Sequence, residues 1–175
     1  MRTDSLNFHQ IKKKYLKFLK SQEVTSEPFR DKLEQLKNFY LPICKQINSE
    51  YVKKKKTKII GLAGGQGTGK STISKILKII LKEGFNLETV IFSIDDFYKT
   101  RKERKIMAKK ISSLFLTRGV PGTHDTKMLF NCIKNLKKSK FKRITVPKFD
   151  KSKDDRFPKS KWLAVNKKPN IVIFE

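Results

Sequence analysis

Gly64-Gly65-Gln66-Gly67-Thr68-Gly69-Lys70-Ser71 matches the pattern G-x-x-x-x-G-K-[ST], and its reading decides the fold. Lys58 to Ala63, just before it, read as a short buried strand, and Ser71 to Glu83, just after it, read as a helix. Strand, glycine loop and helix start in this order form a phosphate cradle. Glycines let the backbone curl until several N–H groups point at one anion, and the helix dipole adds positive charge at the same spot. In such a loop Lys70 reaches the β- and γ-phosphates and the Ser71 hydroxyl ligates Mg²⁺. The alternative is a glycine-rich turn that binds nothing; the full pattern in its context argues against it.

Downstream, Thr89 to Ile94 form a near-continuous apolar run, which fits a parallel strand covered on both faces. It ends in Asp95-Asp96-Phe97-Tyr98. Residues 101–116 read as a helix with Met107, Ile111, Leu114 and Phe115 on one side. Arg118-Gly119-Val120-Pro121-Gly122-Thr123-His124-Asp125 is a defined loop, with Asp125 or Thr126 able to cap the helix carrying Leu129, Cys132, Ile133 and Leu136. Ile144-Thr145-Val146 is a short strand, residues 147–156 a polar loop, and Ile171 to Phe174 a buried strand followed by Glu175. Alternation of strands and helices means an α/β fold with a mainly parallel sheet.

Upstream, residues 1–57 read as a helical N-terminal segment and 58–175 as an incomplete nucleotide-binding domain. Phe8, Ile11, Tyr15 and Phe18/Leu19 give residues 5–20 helical spacing with a lysine-rich opposite face. Such a helix can lie on a membrane surface or dock on its own domain, and docking is the expectation. Ser26-Glu27-Pro28 signals a second helix start, with Leu33, Leu36 and Phe39/Tyr40 as its stripe. Pro42 interrupts it, Ile43, Ile47 and Tyr51 mark a third helix, and Gly84 is expected to end the helix after the phosphate loop.

The net charge is +26, and of the 42 basic residues only seven are Arg. The lysines are spread along the chain without an aromatic-plus-Arg recognition motif, so no specific nucleic acid partner is expected. Cys44 and Cys132 have no metal-ligand spacing and read as reduced, semi-buried thiols of a cytoplasmic protein. No apolar run is long enough to span a membrane.

Phosphoryl transfer needs a metal site, a hydroxyl acceptor and a group to take its proton. Glu175, at the end of an apolar strand, can hold Mg²⁺ with Ser71. Asp95, at the end of the second strand, can accept the proton. Asp96 is either a second carboxylate near the site or a helix N-cap. His124 can contact substrate or be structural, and Arg118, Lys151 and Arg156 are candidate clamps for an anionic group.

Gly64 to Thr72, Ser93-Ile-Asp-Asp-Phe-Tyr98, Arg118 to Asp125, Phe149-Asp-Lys-Ser152 and Ile171 to Glu175 occur in this order. The set resembles the D-glycerate 3-kinase type of P-loop kinase, within the pantothenate, uridine and phosphoribulokinase group, over residues 58–175. The Pro-Gly-Thr-His-Asp loop is the more particular signal for the glycerate kinase type. The resemblance implies a three-layer α/β/α fold and ATP- and Mg²⁺-dependent phosphorylation of D-glycerate to 3-phosphoglycerate. It places Asp95 and Lys70 in catalysis and Gly64, Gly65, Gln66, Gly67, Thr68, Gly69, Lys70, Ser71 and Thr72 at the nucleotide. It places Ser71 and Glu175 at the metal, and the candidate residues for the acceptor are Asp96, Tyr98, Arg118, His124, Asp125 and Lys151. The same resemblance implies further strands, adenine contacts and a lid beyond Glu175. The alternatives are a pantothenate- or uridine-kinase-like enzyme and a nucleotide-binding fragment without turnover.

Overall fold

Burial against a neighbouring helix organises the first part of the chain. The computed structural model describes residues 7–24 and 28–175, so the Ser26-Glu27 start signal lies outside the described residues. One compact unit comprises the described residues up to Ile91 together with 169–173 and Glu175. In it, helix α1 (Phe8–Gln22) is capped by the Asn7 side chain, which accepts the Gln10 N–H at 3.1 Å. Ile11, Tyr15 and Leu19 recur every fourth residue and are fully buried. They meet Ile76, Leu77, Ile80 and Leu81 of α4 (Lys70–Phe85) in one core. The basic amphipathic helix therefore docks on its own protein. The boundary expected at residue 57 falls inside this unit, because α1 and the third helix both pack on α4.

Pro42 does not break the second helix as expected. Helix α2 (Lys32–Gln35) runs through a widened π turn (Leu36–Tyr40) into α3 (Leu41–Lys54). Proline has no N–H to give to the preceding turn and its ring crowds that turn; the wider turn makes room. The helix twist also turns Phe39 and Ile43 to solvent, leaving Leu36, Leu41, Cys44 and Ile47 buried. Cys44 is fully buried rather than semi-buried, and burial pushes its thiol up to about 12.

Strands β1 (Lys58–Gly61), β2 (Thr89–Phe92) and β7 (Ile171–Phe174) stand in the order β1-β7-β2, in a mainly parallel sheet. The central position of β7 explains its unbroken apolar run: Ile171, Val172 and Ile173 are each 0% exposed. Helix α4 ends at Asn86 rather than Gly84. Asn86 adopts the left-handed conformation (φ 52°), and its N–H reaches the carbonyls of Leu81 and Lys82. Gly84 stays inside the last turn.

The second unit comprises residues 92–168 and Phe174. The second strand stops at Phe92, two residues short of expectation, because Ser93 caps a 3₁₀ turn over Ile94–Phe97. Helix α5 (Arg101–Lys110) is shorter than the expected 101–116; it starts with a Thr100–Glu103 capping box and is followed by a 3₁₀ turn at Ser113–Leu116. Ile111 and Leu114, expected on a buried face, are 68% and 65% exposed. Helix α6 (Thr126–Leu136) buries Leu129, Cys132 and Leu136. Two antiparallel pairs were not expected from sequence: β3 (Ile144–Val146) with β6 (Leu163–Val165), and β4 (Phe149–Asp150) with β5 (Asp155–Arg156). Among the described residues no helix is long and apolar enough to cross a membrane.

Ile80→Ala, at 0% exposure, is expected to destabilise the protein by about 2–5 kcal/mol. Ile111→Ala, at 68% exposure, should stay within about 0.5 kcal/mol. Urea unfolding of the two variants checks both figures, and equal losses would contradict the burial assignment.

Candidate functional site

The phosphate loop of the first unit is built by backbone geometry. Gly67 (φ 77°) and Gly69 (φ 76°) both lie in the left-handed region, where a Cβ is strained. A Cβ on Gly64 would stand 2.9 Å from Thr68 Oγ1, which itself donates to the Gly65 carbonyl at 2.9 Å. Lys70 curls over the loop, its Nζ donating to the carbonyls of Gly64 (2.8 Å) and Gly65 (2.5 Å). Gly64, Gly65, Gln66, Gly67, Thr68 and Gly69 are exposed, and Lys70 and Thr72 are half-buried. The cap of α4 is Gly69, without a side-chain hydrogen bond, and the first turn carries no acidic residue. The positive end of a 16-residue helix therefore faces the loop with no acidic residue of its own first turn against it.

Ser71, on the first turn of α4, donates its hydroxyl to Glu175 Oε2 at 2.7 Å. The donor set tests the implied Mg²⁺. A hydroxyl and a carboxylate side by side are hard oxygen ligands, and Mg²⁺ takes one or two of these from protein and the rest from phosphate and water. Ser71 and Glu175 fit the ion.

The second unit gathers another set. Asp95 sits in the 3₁₀ turn rather than on the strand, its N–H held by Ser93 Oγ at 3.2 Å. Its carboxylate pairs with Lys151 Nζ at 2.8 Å and accepts a hydrogen bond from the Tyr98 hydroxyl. Burial first, and the Asp95 charge second, push the Tyr98 phenol up. The Tyr98 ring stacks on His124, centroids 4.1 Å apart, and meets the edge of Phe149 at 5.3 Å. Arg118 lies over Phe149, 5.4 Å from the ring centroid. Asp95, Tyr98, Arg118, His124 and Lys151 are thus one neighbourhood. Two buried polar atoms in it have no hydrogen-bond partner: His124 Nε2 and Arg118 Nη1. A buried donor or acceptor left without a partner costs about 1–3 kcal/mol.

Asp96 and Asp125 are occupied by the fold. Asp96, 7% exposed, closes the capping box with Ser93, holds Lys148 Nζ at 2.7 Å and faces the Phe149 N–H at 3.4 Å. The expected N-cap role falls to Ser93 instead, with Asp96 as the third residue of the turn, its side chain accepting from the Ser93 N–H. Asp125 caps α6 through the Met128 N–H at 2.9 Å and accepts from Arg156 Nη2 at 3.3 Å. Arg156 is further tied down by the Tyr98 carbonyl at 2.7 Å. Sequence reasoning missed Arg104 and Asp154, which border the cluster. The available signal was the rarity of Arg, seven among 42 basic residues.

Residues 59–175 match the phosphoribulokinase / uridine kinase family. The uncharacterized kinase mug58 of Schizosaccharomyces pombe is 39% identical over 124 residues, covering 67% of this chain and 44% of that protein. A pantothenate kinase of Listeria welshimeri is 27% identical, covering 88% of this chain and 53% of that protein. Among solved structures, D-glycerate 3-kinase from Cryptococcus neoformans superimposes with a TM-score of 0.64 at 26% identity, covering 84% of this chain and 52% of that one. The chain spans about half the length of the curated relatives it matches. Its fold is that of the P-loop kinases.

Burial pushes the His124 imidazole below its ordinary value of 6.5, against the opposing pull of Asp95. The folded state then holds fewer protons than the unfolded state. Its stability contribution is complete above that ordinary value and lost as pH falls below it. Urea unfolding at about pH 7.5 and about pH 5.5 should show a smaller acid loss for His124→Gln than for wild type. An equal loss would contradict a buried neutral imidazole.

Proposed function

The chain belongs to the phosphoribulokinase / uridine kinase family, and from that membership we propose that it is an ATP- and Mg²⁺-dependent kinase acting on D-glycerate. The observation that carries this reading is the Asp95 neighbourhood: a carboxylate ringed by Lys151, Tyr98, His124 and Arg118, with buried atoms of His124 and Arg118 left unpaired. It suits a small hydroxy acid. The cations complement a carboxylate, and Asp95 complements a hydroxyl proton. Uridine carries no such negative charge. The likeness to a D-glycerate 3-kinase supports the choice. Pantothenate, also a hydroxy acid, is the second reading, supported by the Listeria relative.

In this reading Lys70 exchanges the carbonyls of Gly64 and Gly65 for the β- and γ-phosphate oxygens of ATP. The N–H groups of the loop and of the first turn of α4 hold the same oxygens. Ser71 and Glu175 would hold Mg²⁺, which would supply positive charge against the phosphates. Lys151 and Arg118 hold the acceptor's carboxylate, and Tyr98 and His124 orient its hydroxyls. Asp95 takes the proton of the 3-hydroxyl as that oxygen bonds to the γ-phosphorus. The bond from phosphorus to the β,γ-bridging oxygen breaks, and ADP leaves.

ADP release with D-glycerate, pantothenate and uridine, measured side by side, tests this on the full-length protein. The expected result is release dependent on D-glycerate, reduced about 100- to 10,000-fold in kcat by Asp95→Asn. Release that ignores the acceptor, or that survives Asp95→Asn, would contradict it.

A further inference from the structure

Arg104 lies on α5, outside the residues given roles above, yet it is 1% exposed. A buried guanidinium is tolerated only when its donors are met. Here Nε donates to the Lys99 carbonyl (3.2 Å), Nη1 to the Leu116 carbonyl (2.7 Å), and Nη2 to both the main-chain oxygen (2.7 Å) and Oδ2 (2.8 Å) of Asp154. One planar fork thus ties together the segment after Tyr98, the segment before Arg118 and the β4–β5 turn. Lysine, with a single ammonium, could not span these acceptors. That the buried cation is Arg in a chain where Lys outnumbers it 35 to seven marks the position as chosen for the fork.

Asp154 completes the link. Its backbone is left-handed at φ 54°. While Oδ2 takes Arg104, Oδ1 lies 3.0 Å from Arg118 Nε, as an ion pair rather than an aligned hydrogen bond. Arg118 is then held from two sides, by this carboxylate and by the Phe149 ring, with Nη1 buried and unpaired. We infer that Arg104 is a positioning residue: acting through Asp154, it fixes Arg118 as the clamp for the acceptor's carboxylate. The inference rests on the hydroxy-acid reading above.

Asp154→Gly separates positioning from a purely structural role. Glycine accepts the left-handed backbone and keeps the main-chain oxygen that Arg104 grips, so only the bridging carboxylate is lost. The full-length protein should fold with this substitution. The KM for D-glycerate should rise roughly tenfold or more, as loss of a charged contact implies. The kcat and the KM for ATP should stay within about twofold. Arginine side-chain NMR should see the Arg118 guanidinium rotate slowly in wild type and freely in the variant. Arg104→Lys should raise the same KM. An unmoved KM and unchanged Arg118 rotation in Asp154→Gly, with wild-type turnover of D-glycerate intact, would overturn the relay alone. A wild-type protein that ignores D-glycerate would overturn both the clamp and the glycerate reading.

Discussion

The backbone between β1 and α4 passes through two left-handed glycines, Gly67 and Gly69, and enters a helix whose buried face is fixed by other helices. Thr68 and Lys70 hold the carbonyls of Gly64 and Gly65, but these bonds lie within the loop and its first helical residue and do not anchor it to the rest of the unit. The loop's geometry depends on rigid flanks, and the flank is α4. Ile76, Leu77, Ile80 and Leu81 anchor that helix against Ile11, Tyr15 and Leu19 of α1 and Cys44 of α3. Hydrophobic burial in the N-terminal helices therefore sets where the first turn of α4 stands. The same anchoring sets where Ser71 stands, since its hydroxyl must meet Glu175 at 2.7 Å beyond the end of β7.

Much of this was legible in the sequence. The glycine pattern located the loop, the i, i+4 spacing of Ile11, Tyr15 and Leu19 located a docking helix, and the apolar run at Ile171 to Phe174 located the central strand. These signals are local and periodic. What the sequence hid was set by tertiary context. Ile111 and Leu114 look like a buried stripe, but α5 ends at Lys110; Ile111 follows it as the C-cap, Leu114 lies in a 3₁₀ turn, and both are exposed. Pro42 looks like a break, yet a π turn absorbs it. The two-residue strands β4 and β5 are too short for any periodicity to register.

The same contrast holds among the candidate site residues. Asp95 and Asp96 are adjacent and identical in sequence, and the fold separates them: Asp96 is enclosed by Ser93, Lys148 and Phe149, while Asp95 faces Lys151 and Tyr98. Sequence cannot tell such neighbours apart because Lys148, Phe149 and Lys151, which divide them, lie about fifty residues away, beyond any local pattern. Arg118 and Arg104 make the complementary point. In a chain of net charge +26 a cation carries little information by itself. Burial and a full set of acceptors are what distinguish Arg104 from the solvated lysines around it.

The proposed reaction transfers a phosphoryl group from ATP to a small hydroxy acid. The most direct measurement is phosphorus NMR of a reaction containing the full-length protein, Mg²⁺, ATP and D-glycerate. Equal growth of ADP and of a phosphomonoester signal that matches 3-phosphoglycerate is the expected result. Growth of ADP with inorganic phosphate alone, or no change in ATP, would contradict it.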